Sequence, residues 1–166
     1  MKLTGSQILL NKEQNMHCEN QNRAGCPVMI YLANLAVWNA KLHNLHWNVV
    51  GGSFVQVHEY TEQVYDEVMD QFDAMGEAVR MRGKLPPVRL AEYLEMATLE
   101  EVDSAERQAS EVVALLKADM EKMNALAQEI RDGADKMGDH LLAAQFEGYL
   151  AWYAKQLWFL DAMSKR

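Results

Sequence analysis

Residues 46–79 read HWNVVGGSFVQVHEYTEQVYDEVMDQFDAMGEAV, and this stretch decides the fold. Ser53 followed by Gln56 has the pattern of a capping box at the start of a helix. Beyond it, apolar residues recur at the three- and four-residue spacing of an amphipathic helix: Phe54, Val57, Val64, Val68, Phe72, Met75 and Val79. We therefore predict one long helix that ends at about Met81.

Four side chains of the metal-ligand type share one stripe of this predicted helix. At about 100° per residue, His58, Glu62, Asp73 and Glu77 fall at about 0°, 40°, 60° and 100° around the axis. Imidazole and carboxylate together suit ferrous iron, and carboxylate oxygens also retain ferric iron. The other acids near the stripe are explained by a solvated surface: Glu59, Asp66 and Asp70.

The axial spacing of the stripe decides how a metal could be held. Glu62 and Asp73 are about 16 Å apart along a helix that rises about 1.5 Å per residue, too far to share one ion. An antiparallel copy, related by a two-fold axis near residues 67 and 68, would bring His58 and Glu62 opposite the partner's Asp73 and Glu77. The pattern therefore predicts two equivalent sites at a dimer interface.

The rest of the chain predicts three more long helices and one short one. We expect a helix before Gly51, a third long helix that opens at a second capping box and ends at Asp132-Gly133, and a fourth after it. The first of these helices is expected from about Pro27 to Val50, the third from Thr98 and Glu101 onward, and the fourth from about Lys136 to Met163. A short amphipathic helix is expected at Leu90 to Met96. This order predicts an all-α four-helix bundle with a short helix in the crossover connection between helices 2 and 3.

The first 26 residues lack periodicity, so we predict a polar N-terminal arm (1–26) followed by one domain (27–166). Both cysteines, Cys18 and Cys26, belong to this arm, which gives neither a disulfide framework nor paired CxxC motifs. A zinc or redox site formed with His17 is a minor alternative. A reducing cytoplasm fits this cysteine usage, and no apolar run approaches the ~20 residues of a membrane span.

Charge argues against a nucleic-acid-binding protein. The formal net charge is −8, whereas phosphate binding needs clustered Lys and Arg. The arm itself is nearly neutral, because its basic residues are offset by acids: Lys2, Lys12 and Arg23 against Glu13 and Glu19. We expect DNA binding to be weak or absent.

The residues reached so far resemble the signature of the Dps (DNA-protection-during-starvation) family, the dodecameric mini-ferritins. The His-Trp pair, the glycine turn, the following His-Glu pair and the later acidic pair all keep that family's spacing. The resemblance implies a ferritin-like four-helix bundle. It also implies that His46, His58 and Glu62 come from one subunit, and Asp73 and Glu77 from its two-fold mate.

By the same resemblance, the protein is a cytoplasmic iron-storage ferroxidase. Two ferrous ions per interface are oxidised, preferably by hydrogen peroxide, and ferric mineral collects in a hollow homododecamer that protects against oxidative stress. Zinc or manganese could substitute for iron. Trp47 resembles the family's proximal tryptophan and is a candidate electron donor, although a buried aromatic filling the dimer contact explains it equally well.

Two departures from the family stand out. The usual aspartate is replaced by Glu62, whose extra methylene moves its oxygens. The family's GDxxTxD pattern, which contributes acids to an iron-uptake pore, is Gly138-Asp139-His140-Leu141-Leu142-Ala143-Ala144 here. Its first acid is present and its last is not, although Asp135 or Glu147 could compensate.

Three other interpretations are open. A conventional ferritin builds its di-iron site within one bundle from Glu-x-x-His pairs, and this chain has none. A DNA-compacting stress protein would need a basic tail. A metal-free interaction scaffold predicts no iron uptake. Near the stripe, His43 lies one turn before His46 and is explained by packing more readily than by metal binding.

Overall fold

Four long helices dominate the computed structural model, which describes residues 25–165. The elements in chain order are α1 (Pro27–Asn48), β1 (Val49–Val50), α2 (Phe54–Met81), α3 (Leu90–Met96), β2 (Arg107–Gln108), α4 (Ala109–Lys136) and α5 (His140–Ser164). The predicted four-helix bundle with a short helix in its central connection is confirmed. The predicted arm lies almost wholly outside the described residues, so the domain boundary stays a prediction.

The bundle is built from two helix pairs. The closest packing joins α1 to α2 and α4 to α5, and α1 also contacts α3 and α4. The largest fully buried side chains of the described residues come from α1 and α5: Trp38, Tyr31, Tyr153 and Phe146. Burying such aromatic area is the main stabilising term of the fold. The helix surfaces that face away from this core are left to carry function.

The third long helix begins later than the sequence predicted. The expected start at Thr98 is wrong, because buried Asn34 of α1 captures the backbone there. Its Oδ1 accepts hydrogen bonds from the N–H groups of Thr98 (2.7 Å) and Leu99 (3.1 Å). Its Nδ2 donates to the Thr98 hydroxyl at 3.0 Å. With these groups satisfied by a side chain, the segment stays non-helical up to β2.

The helix start is set ten residues further on. The Glu111 carboxylate accepts a hydrogen bond from the N–H of Gln108 at 2.9 Å, immediately before α4. The predicted end at Asp132-Gly133 is also wrong, since α4 continues through Lys136. The helix ends at Lys136, and Gly138, two residues later, has a φ of 73° that glycine readily adopts.

A short parallel pairing, which the sequence did not predict, fixes the turn between α1 and α2. Val49 pairs with Arg107 and Val50 with Gln108, so α1 ends two residues before its predicted end. The next residue, Gly51, has φ 106°, and a Cβ there would lie 2.7 Å from the Gln108 side chain. The predicted Ser53 cap makes no side-chain hydrogen bond. The turn is therefore held by the pairing and by glycine.

Within residues 25–165, no helix combines the length and the apolar character needed to cross a membrane.

Candidate metal centre

Two of the predicted ligands meet where α1 ends and α2 begins. His46 lies in the last turn of α1 and His58 near the start of α2. The tight turn between these helices brings the two imidazole rings together, with centroids 3.7 Å apart and planes 22° from parallel. His46 is buried and His58 half-buried. The structure thus joins two residues that are twelve positions apart in the sequence.

Each histidine ring is held by the backbone of the other. The Nδ1 of His46 lies 2.9 Å from the carbonyl oxygen of His58, and the Nδ1 of His58 lies 3.0 Å from the carbonyl oxygen of His46. A carbonyl oxygen only accepts hydrogen bonds, so both Nδ1 atoms carry the proton. In the neutral rings both Nε2 atoms therefore keep a free lone pair, which is the form in which histidine binds metal.

Thr61 completes this arrangement, and the sequence analysis missed it. Its hydroxyl is fully buried and lies 2.8 Å from the carbonyl oxygen of His58 and 3.0 Å from that of Val57. The same hydroxyl is 3.1 Å from Nδ1 of His46. Because Thr61 is one turn after His58 on α2, it fixes the ring of His46 against the start of that helix.

The acidic residues of the stripe are exposed on α2. Glu62 lies one turn after His58, whereas Asp73 and Glu77 lie in the C-terminal half of the helix. The latter two line an open groove of about 630 Å³ between α2 and the connection that leads to α3. No three His, Cys, Asp or Glu side chains within residues 25–165 come together as a metal site. One chain therefore supplies the imidazoles and Glu62 at one place on α2, and Asp73 and Glu77 at another.

Trp47 makes no ring contact with the histidine pair within residues 25–165. It is 70% exposed, and its ring lies edge-on to His43 at 5.5 Å. His43 is itself stacked on Tyr65 at 4.1 Å, and its Nδ1 lies 2.9 Å from the carbonyl oxygen of Asn39. These contacts match the packing interpretation of His43.

Tyr65 is the second residue that the sequence analysis missed. Its ring stands edge-on to His46, with centroids 5.3 Å apart and planes at 87°. Burial, followed by the neighbouring carboxylates of Glu62 and Asp66, raises the pKa of Tyr65. The sequence contains a signal for Tyr65: it is seven residues after His58, a spacing that places both on the same stripe of α2.

Two acids near the expected pore, Asp139 and Glu147, are engaged in ion pairs, whereas Asp135 is exposed and forms no ion pair within residues 25–165. Asp139 caps α5 by accepting a hydrogen bond from the N–H of Leu142 at 3.1 Å. It also receives two hydrogen bonds from Arg82, at 2.7 and 2.9 Å. Glu147, one of the two suggested substitutes, is paired with Arg131 at 2.8 Å. Both carboxylates are thus already neutralised by arginine within the chain.

The alternative zinc or redox site in the N-terminal arm loses one ligand. Cys26 is fully buried and disulfide-bonded, so it offers no thiolate to a metal. The interpretation of the cysteine usage as that of a reducing compartment is therefore wrong, because disulfides form mainly in oxidising surroundings. His17 and Cys18 lie outside the described residues.

Comparison with known proteins gives consistent matches. Residues 31–166 match the ferritin-like domain family. The chain is 34% identical over 131 residues to the DNA protection during starvation protein of Brevibacillus brevis, covering 79% of this chain and 87% of that protein. It is 29% identical over 130 residues to the protein of the same name from Helicobacter pylori, covering 78% and 90%.

Solved structures agree with the sequence matches. The crystal structure of a Dps protein from Bacillus brevis superposes with a TM-score of 0.82 at 29% identity, covering 99% of this chain and 100% of that one. The structure of Helicobacter cinaedi CAIP superposes with a TM-score of 0.82 at 30% identity, covering 84% and 97%.

Proposed function

We propose that this chain, which belongs to the Dps family of ferritin-like proteins, oxidises ferrous iron at sites shared between two subunits and stores the ferric product. The observation that carries the proposal is the reciprocal hydrogen bonding of His46 and His58 through each other's carbonyl oxygens. Structural packing alone does not require both Nε2 atoms to be left as acceptors. A metal site does require it.

The donor set suits iron in both oxidation states. Neutral imidazole from His46 and His58 binds ferrous iron, and the carboxylate of Glu62, one turn further along α2, adds a hard ligand that ferric iron prefers. Zinc and manganese are accepted by the same ligand types, so either metal would compete with iron for the site. Zinc has no redox chemistry, so it could occupy the site but could not replace iron as the source of electrons for peroxide.

The second half of each site is proposed to come from a two-fold partner. Asp73 and Glu77 are exposed beside a groove on α2, and the chain offers them no third ligand among its described residues. Large apolar side chains are also exposed along or beside α2: Trp47, Phe54, Val55, Met69 and Met81. Exposed apolar surface of this kind marks a protein interface. An antiparallel copy of α2 would cover it and complete both sites.

The oxidant and the assembly extend this proposal. Two ferrous ions supply the two electrons that reduce hydrogen peroxide to water, according to 2 Fe²⁺ + H₂O₂ + 2 H⁺ → 2 Fe³⁺ + 2 H₂O. No hydroxyl radical is released when both electrons arrive together. We propose that the protein forms a homododecamer, whose hollow interior holds the ferric mineral.

Under this proposal, DNA is protected by the oxidation of iron and not by DNA binding. With a net charge of −8, the protein gains little from phosphate contacts, because such binding depends on clustered positive charge. Removing iron and peroxide would protect DNA without contact. Tight, salt-sensitive retardation of DNA in a mobility-shift assay at neutral pH would contradict this part of the proposal.

The decisive experiment is an anaerobic ferrous titration followed by a pulse of hydrogen peroxide. We expect rapid oxidation by the native protein and slow oxidation by Asp73→Ala, with Glu129→Ala, an exposed acid on α4, as the matched control. Equally rapid oxidation by Asp73→Ala would refute the shared site. Failure of the native protein to accelerate oxidation above the protein-free rate would refute the ferroxidase function and favour a metal-free scaffold.

A further inference from the structure

We infer that Thr61 is a positioning residue of the proposed iron site, whose buried hydroxyl holds the imidazole of His46 in the orientation and tautomer that bind metal. The inference rests on the proposed function, because it concerns how one of the proposed iron ligands is held. It also assigns unequal roles to His46 and His58, two ligands of the same chemical type. Thr61 acts through His46 and is not itself a ligand.

The hydroxyl proton of Thr61 is directed to a backbone carbonyl. Its Oγ1 lies 2.8 Å from the carbonyl oxygen of His58 and 3.0 Å from that of Val57. A hydroxyl has a single proton and two lone pairs, whereas a carbonyl oxygen only accepts. Whichever of the two carbonyls receives this proton, the buried Thr61 oxygen keeps a lone pair for a donor from elsewhere.

That donor is Nδ1 of His46, which belongs to another helix. This nitrogen lies 3.1 Å from Oγ1 of Thr61 and 2.9 Å from the carbonyl oxygen of His58. Two acceptors therefore face it, so it carries the proton of the neutral ring. Among the described residues, Nδ1 of His58 has one such acceptor, the carbonyl oxygen of His46 at 3.0 Å. The two proposed ligands are thus held unequally.

Helix packing alone explains only part of this arrangement. A threonine inside a helix commonly donates to the carbonyl oxygen one turn earlier, which here is that of Val57, and this bond needs no function. It does not account for the contact with His46, which reaches the hydroxyl from the end of α1. A valine would fill nearly the same space without bringing a polar group into the buried contact. The hydroxyl is therefore explained by the ring that it faces.

The contact selects one orientation of the His46 ring. A half-turn of the imidazole about its Cβ–Cγ bond would exchange Nδ1 for the Cδ2–H group, which is a poor donor. The Thr61 hydroxyl and the His58 carbonyl would then lose the N–H that they share. The favoured orientation leaves Nε2 with its lone pair, the form that binds metal. His46 is thus held ready before metal binds, and a preorganised group loses less conformational freedom on binding.

Nitrogen NMR of the metal-free assembly, grown with isotope-labelled histidine, tests this orientation directly. In the native protein we expect His46, assigned by its loss in His46→Asn, to carry its proton on Nδ1 and none on Nε2, in a single set of signals. Thr61→Val should add signals of a second tautomer or orientation. Thr61→Ser keeps the hydroxyl and should retain the native spectrum. The control is Thr98→Val, which removes a hydroxyl that is bonded to Asn34 before α4.

Calorimetric titration with zinc tests the consequence for metal binding without redox chemistry. Loss of a group that orients a metal ligand typically weakens binding by about 10- to 100-fold, and we expect a decrease in this range for Thr61→Val. Thr61→Ser and Thr98→Val should bind zinc with the native affinity. A purely structural role of the Thr61 hydroxyl would lower the unfolding temperature of Thr61→Val and leave its zinc affinity unchanged.

The outcomes separate this inference from the proposed function. A native protein with the proton of His46 on Nε2 would overturn the inference, as would a Thr61→Val protein with either a native spectrum or native zinc affinity. If Thr61→Val does not assemble, the native and Thr61→Ser proteins decide, and loss of the native spectrum in Thr61→Ser would overturn it. Equal zinc binding by the native protein and His58→Ala would instead refute the metal site of the proposed function.

Discussion

Lys41 of α1 and Asp119 of α4 form a buried ion pair that joins the two halves of the bundle. The Lys41 Nζ lies 2.9 Å from Oδ1 and 2.8 Å from Oδ2 of Asp119, and the two residues are 6% and 3% exposed. Only Oδ1 has good hydrogen-bond geometry, so Oδ2 lacks a hydrogen-bond partner. Burial raises the pKa of Asp119 in spite of Lys41, which indicates that desolvation outweighs the attraction.

Removing either partner of this pair should be costly. Asp119→Ala or Lys41→Met leaves one buried charge without compensation, and we expect a loss of about 3–5 kcal/mol in the free energy of unfolding. The double variant Lys41→Met with Asp119→Leu should be close to the native protein or more stable, since neither charge is then desolvated. Urea unfolding of the four proteins checks this. Single variants that lose less than about 1 kcal/mol would contradict the assigned burial.

Alkaline pH should reveal the tyrosine pair in the core. The hydroxyls of Tyr31 and Tyr153 are 2.6 Å apart, and burial raises the pKa of both well above its usual range. In the unfolded chain they ionise near pH 10, while in the folded protein they keep their protons. Their contribution to stability is therefore complete below about pH 10 and is lost as the pH rises above it.

Each of these two tyrosines should add a slope of up to about 1.4 kcal/mol per pH unit above pH 10. Replacing both with Phe should lower stability at neutral pH, because Gln71 loses its hydroxyl partners, but should flatten the alkaline slope. Urea unfolding between pH 8 and pH 11 measures both effects. An equal slope in the native and doubly substituted proteins would show that the pair ionises in the folded state.

Asp139 should contribute to stability mainly as a helix cap. Asp139→Ala removes both the hydrogen bond to the Leu142 N–H and the ion pair with Arg82, and we expect a loss of about 1–2 kcal/mol. Asp139→Asn keeps a capping side chain and loses the charge, so its cost should stay below about 1 kcal/mol. Thermal unfolding separates the two. Equal losses would mean that the ion pair, and not the cap, is the main contribution.

Local patterns were enough to predict most of the fold. The long helices and the stripe on α2 follow from residues within a few turns of one another, so periodicity revealed them. The segment 98–108 could not be predicted in this way. Its conformation depends on Asn34, which is 64 residues away in sequence from Thr98, and on a two-residue pairing with Val49 and Val50. The Thr98 capping pattern gives no hint of either.

The residue types and spacing of the candidate site could be predicted from the sequence, whereas its hydrogen bonds could not. The spacing of His58 and the acids on α2 placed them on one face, and His46 entered only through the family resemblance. The exchange of hydrogen bonds between the two histidines depends on the geometry of the turn after α1, which is set by Gly51 and by β-pairing. Tyr65 lies on the predicted stripe, but an aromatic residue at helical spacing is equally typical of packing, so the sequence alone does not mark it as part of the site.

Mixing two inactive variants should restore activity if the sites are shared. In a dimer of one His58→Ala chain and one Asp73→Ala chain, one site combines both substitutions, and the other combines an intact His58 with an intact Asp73. Random pairing at equal amounts makes about half of the dimers mixed, so about one quarter of the native sites should return. Each variant alone should have none.

The measurement is the rate of peroxide-driven ferrous oxidation after the two variants are unfolded together and refolded together. Refolding them separately and mixing them afterwards is the control, since preformed dimers should not exchange halves during the assay. Co-refolded protein with no more activity than this control would place all ligands of a site in one chain. That result would contradict the axial spacing argument, because Glu62 and Asp73 of one helix are about 16 Å apart along its axis.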